Sequence, residues 1–208
     1  MNLFEYQAKE AFRKCGITTP KGVLARSVKD MDAAFGEAGF PCVLKSQVLH
    51  GGRGKAGLIR FAKDIAQGRK EARELFESPH NVRALLVEQA VDIDRELYLS
   101  VTIDPPSGTA LLMGCAEGGV DIEHLAASAP EKIVCVNVDM AEGLSGYHIN
   151  NLIYGMGLSG DVAKQAATVV RALYTVFRSR DAQLAEINPL FVTKEGQMVA
   201  GDGKLIID

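Results

Sequence analysis

The sequence predicts an α+β fold organised in two parts, and two observations support this prediction. Up to Gln89, segments with apolar residues at helical spacing alternate with short apolar runs that are typical of strands. From Asp94 onward, apolar runs separated by turn residues indicate β-hairpins, with two long helical segments before the last hairpin. At 208 residues, of which 47 % are hydrophobic, the chain is long enough to bury a substantial core.

The first part is predicted to alternate helices with extended segments. A helix over residues 2–15 is indicated by apolar residues near the helical period and by Gly16, since glycine commonly ends helices. The remaining segments are, in order, an extended stretch broken by Pro20, a helix capped by Ser27 over residues 28–38, strands at 41–48 and 57–62, a helix at 63–76 and a strand at 83–89.

The second part is predicted to consist of hairpins and two helices. The residues Pro-Pro-Ser-Gly at 105–108 are typical of a turn between two strands. In order, the segments are strands at 94–104 and 109–116, a glycine pair at Gly118 and Gly119, a strand at 132–138, helices at 146–157 and 161–180, and a hairpin over 182–208 that turns at Glu195 and Gly196.

Composition argues against several classes of protein. Acidic residues number 26 against 23 basic ones, so there is no global positive field to hold nucleic acid or an anionic membrane surface. No run approaches the roughly 18 apolar residues of a membrane span, and the N-terminus does not resemble a secretion signal. The cysteines Cys15, Cys42, Cys115 and Cys135 are scattered, which indicates reduced structural thiols. We therefore expect a cytoplasmic protein that binds neither nucleic acid nor membrane.

A glycine-rich loop with two cations follows the strand that contains Lys45. The segment "VLKSQVLHGGRGKAG", residues 43–57, combines bare backbone amides with positive charge, which suits a phosphate close to the main chain. Its GxGxxG pattern is not a dinucleotide-binding fingerprint, because a strand rather than a helix is predicted to follow. It is not a P-loop either, since Ala56 stands where a magnesium-binding hydroxyl is required.

We interpret this segment as a strand, loop, strand hairpin that folds over a triphosphate. Lys45 would reach a phosphate as a point charge, and Arg53 would hold two phosphate oxygens at once. The alternative is a mobile, solvated hairpin tip with incidental charges, because glycine-rich turns are common.

The C-terminal hairpin carries a second group of polar residues. Counted from the turn, Asn188 falls within about one residue of the position opposite Asp202, so an amide oxygen and a carboxylate face one point. Such hard oxygen donors suit Mg²⁺, which takes further ligands from water and phosphates. Glu186 shares a strand face with Asn188 and would be a third ligand or act on a transferred phosphoryl group. Taken singly, Asn-Pro and Asp-Gly are common turn dipeptides, which is the alternative interpretation.

Several segments together resemble one known family. They are "MNLFEYQAKEAF", "LKSQV" with "GGRGKAG", "LVEQAVDIDRELYLSVTID", "EGGVDIE" and "AEINPLFVTKEGQMVAGDGKL". From Met1 almost to Asp208 the chain is similar to the ATP-grasp portion of the β subunit of succinyl-CoA synthetase. The resemblance implies an ATP-grasp fold of two α+β subdomains that grip a nucleotide between them. It implies a lid at residues 21–94 and a larger subdomain formed by residues 1–20 and 95–208, while the family's C-terminal flavodoxin-like CoA-ligase domain is absent from this chain.

The resemblance also implies roles for individual residues. ATP (or GTP) would be held at its phosphates by Lys45, Gly52, Arg53 and Gly54. In the hinge it would contact Glu88 and Val91, although the family commonly has threonine at the position of Val91. Its ribose hydroxyls would be bound by Glu96. Asn188 and Asp202 would hold Mg²⁺. Glu186 would meet the phosphohistidine loop of a partner α subunit, and Arg53 would clamp the charge of the transferred phosphoryl group, so both are expected to be catalytic.

No histidine of the chain is assigned a catalytic role. In the family, the phosphorylated histidine and the CoA site belong to the α subunit. His80 is placed in a loop, and His124 and His148 are placed on helix surfaces. His50 lies in the glycine loop, but the family usually has its histidine one position earlier, where Leu49 stands.

The activity implied by the resemblance is ADP-forming succinate–CoA ligation through that phosphohistidine. The segment "SGYHINNLIYGMGL" departs from the family pattern, which commonly reads "PYQ" with an arginine soon after, and leaves the acid open. Another ATP-grasp acyl-CoA ligase subunit, of a malate-CoA ligase or an ADP-forming acetyl-CoA synthetase, is therefore an alternative. A further alternative is a nucleotide-binding module without catalysis. Because the family continues past residue 208, we expect a piece of a longer subunit, inactive or only partly active by itself.

Overall fold

The computed structural model describes residues 1–49 and 51–208, and the chain divides into two compact units. One unit runs from Pro20 to Val91, and the other combines Met1–Thr19 with Asp92–Asp208. Separate clusters of buried apolar side chains fill the two units, so each unit has a core of its own.

Helices and strands alternate in the first part of the chain, and most strands of the second part form hairpins. The helices are α1 (Glu5–Lys14), α2 (Met31–Ala38), α3 (Ile65–Phe76), α4 (Ile122–Ser128), α5 (Gly146–Gly155) and α6 (Gly160–Ser179). The strands are β1 (Gly22–Ala25), β2 (Cys42–Ser46), β3 (Ile59–Ala62), β4 (Leu85–Gln89), β5 (Ile93–Asp104), β6 (Thr109–Cys115), β7 (Val134–Val138), β8 (Ala182–Thr193), β9 (Met198–Ala200) and β10 (Lys204–Ile207). In the described part of the chain, none of the helices combines the length and hydropathy needed to cross a membrane.

The unit Pro20–Val91 is an antiparallel sheet with two helices packed on it. Its strands lie in the order β1-β4-β2-β3. Because side chains alternate along a strand, Leu44 and Val87 join the core beneath α2 and α3, whereas Lys45 and Glu88 lie on the other face. Strands β2 and β3 pair in register on either side of the glycine loop, as predicted for a strand, loop, strand hairpin.

A glycine inside α3 allows its close packing on α2. A Cβ atom on Gly68 would lie 2.7 Å from the Phe35 ring, which is too close for carbon atoms. Asp64 caps the N-terminus of this helix, and its carboxylate accepts a hydrogen bond from the Gln67 amide at 2.9 Å. The cap therefore offsets part of the cost of an internal glycine.

The other unit is a larger antiparallel sheet covered by helices. Its strands lie in the order β10-β8-β5-β6-β7, and β9 also pairs with β8. Helices α5 and α6 pack on the sheet through apolar residues of its core. The N-terminal segment belongs to this unit, because the Leu3 amide donates to the Leu205 carbonyl and the Ala200 amide donates to the Thr18 carbonyl.

Two local predictions need correction, and one helix was given no bounds. The first helix begins at Glu5, because the residues before it bridge to β10 instead. The Ser27 hydroxyl does not cap a long helix but donates to the Asp30 carboxylate, and a short 3₁₀ turn precedes α2. Helix α4 was not delimited by the sequence, because only Leu125 among its residues is buried, which leaves no apolar period to detect.

Candidate functional site

The glycine loop is closed by hydrogen bonds within the unit Pro20–Val91. The Leu58 amide donates to the Arg53 carbonyl at 2.9 Å, and the Arg53 guanidinium donates to the Ser46 carbonyl at 3.2 Å. Gly52 and Gly57 have positive φ angles, which glycine adopts without a steric penalty. Residues 51–57 of the loop therefore have a defined path, with the bare backbone at Gly51, Gly52 and Gly54 exposed. His50 lies outside the described residues.

Lys45 and Glu88 form a buried ion pair beside this loop. The Lys45 Nζ lies 2.8 Å from Glu88 Oε2, and the two side chains are 10 % and 2 % exposed. They come from neighbouring strands, where Glu88 pairs directly with Val43. On the other side of β4, Gly22 makes room for the carboxylate, since a Cβ atom there would lie 2.7 Å from Glu88 Cγ. Val91, which is partly buried, is the last residue of this unit.

The C-terminal hairpin of the other unit brings Asn188 level with Asp202. Leu190 pairs with Ala200 on β9, and Glu186 pairs with Lys204 on β10, in one continuous register. At this level the pairing of β8 with β5 contains a β-bulge, because two residues of β8 lie opposite the single residue Tyr98 of β5. Such bulges re-aim side chains and are common beside functional sites.

The glycine pair before α4 joins Asn188 to Glu96. The Asn188 Oδ1 accepts from the Gly119 amide at 2.8 Å, and its Nδ2 donates to the Val120 carbonyl at 2.9 Å. Gly118 donates to the Glu96 carbonyl at 2.8 Å, and a Cβ atom on Gly119 would overlap the Glu96 carboxylate. No site role was predicted for this loop from the sequence, although its adjacent glycines were a visible signal.

Glu186 is held by a buried tyrosine. The Tyr98 hydroxyl lies 2.9 Å from Ser100 Oγ and 3.2 Å from Glu186 Oε2. Burial raises the pKa of the Glu186 carboxyl; the Asp202 carboxylate adds to this shift, while the Lys204 ammonium opposes it. Burial also raises the pKa of Tyr98, with a further contribution from Glu186, so the phenol remains a donor at neutral pH. Neither Tyr98 nor Ser100 was predicted from the sequence as a site residue.

The donor atoms around Asn188 and Asp202 fit Mg²⁺. The Asn188 amide oxygen accepts one hydrogen bond and retains a second lone pair, and Asp202 Oδ1 accepts from the Gly203 amide at 2.7 Å. Within the described residues, no three His, Cys, Asp or Glu side chains form a cluster that could hold a metal alone. A cation here would therefore need further ligands from water or a bound phosphate.

Comparison with known proteins gives consistent results. A family model described as "ATP-grasp domain" matches residues 2–192. The ADP-forming sulfoacetate-CoA ligase subunit SauC of Bilophila wadsworthia is 68 % identical over 208 residues, covering all of this chain and 56 % of its own length. The ADP-forming succinate–CoA ligase subunit beta of Desulfurococcus amylolyticus is 43 % identical over 212 residues, covering all of this chain and 56 % of its own length. This chain thus spans little more than half the length of these relatives.

Solved structures share the same fold. The dinucleotide-forming acetyl-coenzyme A synthetase 1 of Candidatus Korarchaeum cryptofilum, solved in complex with coenzyme A, Ca-AMPCP and HgCl⁺, matches with a TM-score of 0.80. The match covers 100 % of this chain and 93 % of that chain, at 21 % sequence identity. At this identity the likeness concerns the path of the backbone.

Proposed function

Because the chain belongs to the ATP-grasp domain family and has its α+β fold, we propose that it binds a purine nucleoside triphosphate, ATP or GTP, together with Mg²⁺. The observation that carries this proposal is the level placement of two oxygen donors, Asn188 and Asp202, on one hairpin. With only two such side chains, the cation would share its coordination with the nucleotide's phosphates. A neighbour with this fold was solved with a calcium nucleotide analogue, which supports the same pairing of nucleotide and divalent cation.

The unit Pro20–Val91 supplies the phosphate-binding groups in this proposal. Lys45 and the exposed amides around Gly52 and Gly54 hold phosphate oxygens, and Arg53 neutralises charge as the γ-phosphoryl group moves. Glu88 keeps the Lys45 ammonium extended on the sheet face through their 2.8 Å contact. Together with Val91, Glu88 also lies in the segment that would contact the purine and set the choice between ATP and GTP.

The other unit supplies the metal ligands and the groups near the transferred phosphoryl. Bound Mg²⁺ would neutralise phosphate charge, held by Asn188 and Asp202. Glu96, beside the Gly119 amide segment, accepts hydrogen bonds from the ribose hydroxyls. Glu186, oriented by Tyr98, faces the phosphohistidine of a partner subunit.

We assign the complete protein to the nucleotide-binding, β-type subunits of ADP-forming acid–CoA ligases. The γ-phosphoryl group of ATP moves to a histidine of a partner α subunit and then to the acid carboxylate, which yields an acyl phosphate. The thiolate of CoA displaces phosphate and forms the thioester. The two curated relatives, both named as ADP-forming CoA ligase subunits, support this assignment.

Sulfoacetate is a better assignment for the acid substrate than succinate. The resemblance seen in the sequence favoured succinate, but the sulfoacetate-CoA ligase subunit is 68 % identical and the succinate–CoA ligase subunit is 43 % identical. ADP formation by the complete protein with its partner subunit, measured with sulfoacetate, succinate, malate and acetate, tests this assignment. We expect the highest kcat/KM with sulfoacetate, and a preference for succinate would restore the original assignment.

Calorimetric titration tests nucleotide binding directly. ATP and GTP are titrated with and without Mg²⁺ into the wild-type chain, Lys45→Ala and the control Lys70→Ala, which removes an exposed lysine of the same unit. We expect Mg²⁺-dependent binding that Lys45→Ala abolishes and Lys70→Ala retains. Equal binding by all three proteins would exclude Lys45 from the site, and the absence of any binding by the wild-type chain would contradict the proposed nucleotide site.

A further inference from the structure

A buried lysine on α1 reaches the turn that carries Asp202. Lys9 is 0 % exposed, and its Nζ lies 2.9 Å from the buried Glu5 carboxylate one helical turn earlier. The same ammonium donates a hydrogen bond of 2.6 Å to the carbonyl of Gly201. Burying a charge is costly unless it is paired and hydrogen-bonded, so these contacts stabilise the ammonium in the core.

The peptide between Gly201 and Asp202 is held from two sides. The Lys9 ammonium binds the Gly201 carbonyl, while the Gly201 and Asp202 amides donate to the Pro189 carbonyl at 2.9 and 3.4 Å. Pro189 directly follows Asn188. The backbone that carries one proposed metal ligand is thus tied to the residue beside the other.

Two aromatic rings close the remaining space around this turn. A Cβ atom on Gly201 would overlap the Phe191 ring, and one on Gly203 would overlap the Phe12 ring. Phe12 lies on α1, as Lys9 does, so this helix contacts the turn on both sides of Asp202. These contacts leave little freedom for the Asp202 backbone.

Anchoring of α1 does not account for a buried charge pair. The helix already packs into the core through Ala8 and Phe12, and the segment before it bonds to β10. Apolar side chains of similar size commonly stabilise such a site at least as well as an ion pair. The second pair of the helix, Glu10 and Lys14, has the same spacing but is 54 % and 61 % exposed. Of these two pairs on α1, only the one that reaches Gly201 is buried.

We propose that the Glu5 and Lys9 pair positions the Asp202 carboxylate for a divalent cation by fixing the Gly201–Asp202 peptide. The inference rests on the proposed role of Asp202 as a metal ligand. Lys9 itself touches neither the cation nor the nucleotide and is a positioning residue. Residues that orient a metal ligand in this way affect metal affinity without contributing a donor atom.

The test compares the Mg²⁺ requirement of nucleotide binding among variants of the chain. Glu5→Gln with Lys9→Met removes both charges and leaves no carboxylate buried alone. We expect the Mg²⁺ concentration that half-saturates ADP binding to rise about 10-fold or more, while metal-free ADP binding measured by calorimetry is unchanged. The control Glu10→Gln with Lys14→Met changes the exposed pair of the same helix and should match the wild-type chain.

One further variant separates this inference from the proposed function. Asp202→Asn reports on the metal site alone; if it leaves the Mg²⁺ requirement unchanged, the proposed metal role and the inference both fail. If Asp202→Asn raises the requirement but the Glu5, Lys9 variant does not, only the inference is overturned. If the Glu5, Lys9 variant weakens metal-free and Mg²⁺-dependent ADP binding equally, the pair has a purely structural role, and this result would also overturn the inference.

A milder variant covers the case in which the first one does not fold. Glu5→Gln with Lys9→Gln keeps a neutral donor near the Gly201 carbonyl, and we expect a smaller rise in the Mg²⁺ requirement. Circular dichroism establishes that each variant is folded. Failure of both double variants to fold would overturn the inference, because the pair would then serve the whole unit rather than Asp202.

Discussion

The ion pair of Lys45 and Glu88 shows how one carboxylate sets the position of a lysine ammonium group. The two side chains come from neighbouring strands and lie on the face of the sheet opposite α2 and α3. The sequence placed Lys45 on the strand before the glycine loop and, through the resemblance, Glu88 in the hinge. Their direct contact depends on the pairing of β2 with β4, which brings together residues far apart in the chain.

Replacing Glu88 should destabilise the unit Pro20–Val91. Glu88→Gln removes the carboxylate that balances the buried Lys45 charge, and we expect a loss of about 3 kcal/mol in the free energy of unfolding. Urea unfolding followed by circular dichroism measures it. The control Glu74→Gln, from an exposed pair of the same unit, should cost less than about 1 kcal/mol. Equal effects of the two substitutions would contradict the expectation.

Gly119 provides a residue-scale test of the loop that joins Asn188 to Glu96. Gly119→Ala forces a Cβ atom into the space of the Glu96 carboxylate, so we expect weaker nucleotide binding in calorimetry. Gly143→Ala is the matched control, because Gly143 also has a positive φ but faces open space. Both variants should lose about 1 kcal/mol of stability from backbone strain. Equal nucleotide affinities of the two variants would exclude Glu96 from the nucleotide-binding site.

At the scale of elements, the C-terminal hairpin was the most predictable part of the site. A turn at Gly196 and the period of two along a strand were enough to place Asn188 near the level of Asp202. The observed register of β8 with β9 and β10 agrees with that placement. The bulge opposite Tyr98 was not predictable, because it arises from the pairing of β8 with β5, more than 80 residues away.

The two helices of the unit Pro20–Val91 allow a test of packing against propensity. Gly68→Ala gains about 1 kcal/mol of helix propensity but overpacks against Phe35, and overpacking costs typically about 1–3 kcal/mol. We expect net destabilisation in thermal unfolding. Gly36→Ala, in an open position of α2, should instead stabilise the protein, because nothing lies near the added methyl group. Stabilisation by both substitutions would show that the Phe35 ring moves aside easily.

At the scale of the whole molecule, nucleotide, metal and folding stability should be linked. A ligand at 100 times its Kd stabilises the state that binds it by about 2.7 kcal/mol. We expect ADP with Mg²⁺ to raise the midpoint of thermal unfolding, and chelation of Mg²⁺ with EDTA to remove most of this increase. For Asp202→Asn in the presence of ADP, the midpoint of thermal unfolding should be the same with and without Mg²⁺. An increase that EDTA leaves undiminished in the wild-type chain would mean that the cation contributes nothing to nucleotide binding.

The local features of this protein could be predicted from its amino-acid sequence. The α+β pattern, the hairpin around the glycine loop and the approximate register of the last hairpin follow from residue spacing and turn chemistry, which act between near neighbours in the chain. The resemblance of its motifs also led to the ATP-grasp family, although it favoured succinate over the acid of the 68 % identical relative.

The support that distant segments give to these residues became visible only in the folded protein. Lys9 reads in the sequence as one more charged residue of an amphipathic helix, yet it is buried against Gly201. Likewise, the Gly119 amide meets Asn188, and the Tyr98 hydroxyl meets Glu186. These contacts join residues about 70 to 190 positions apart. Spacing along the chain carries no signal for them, because they are set by how strands pair and helices pack.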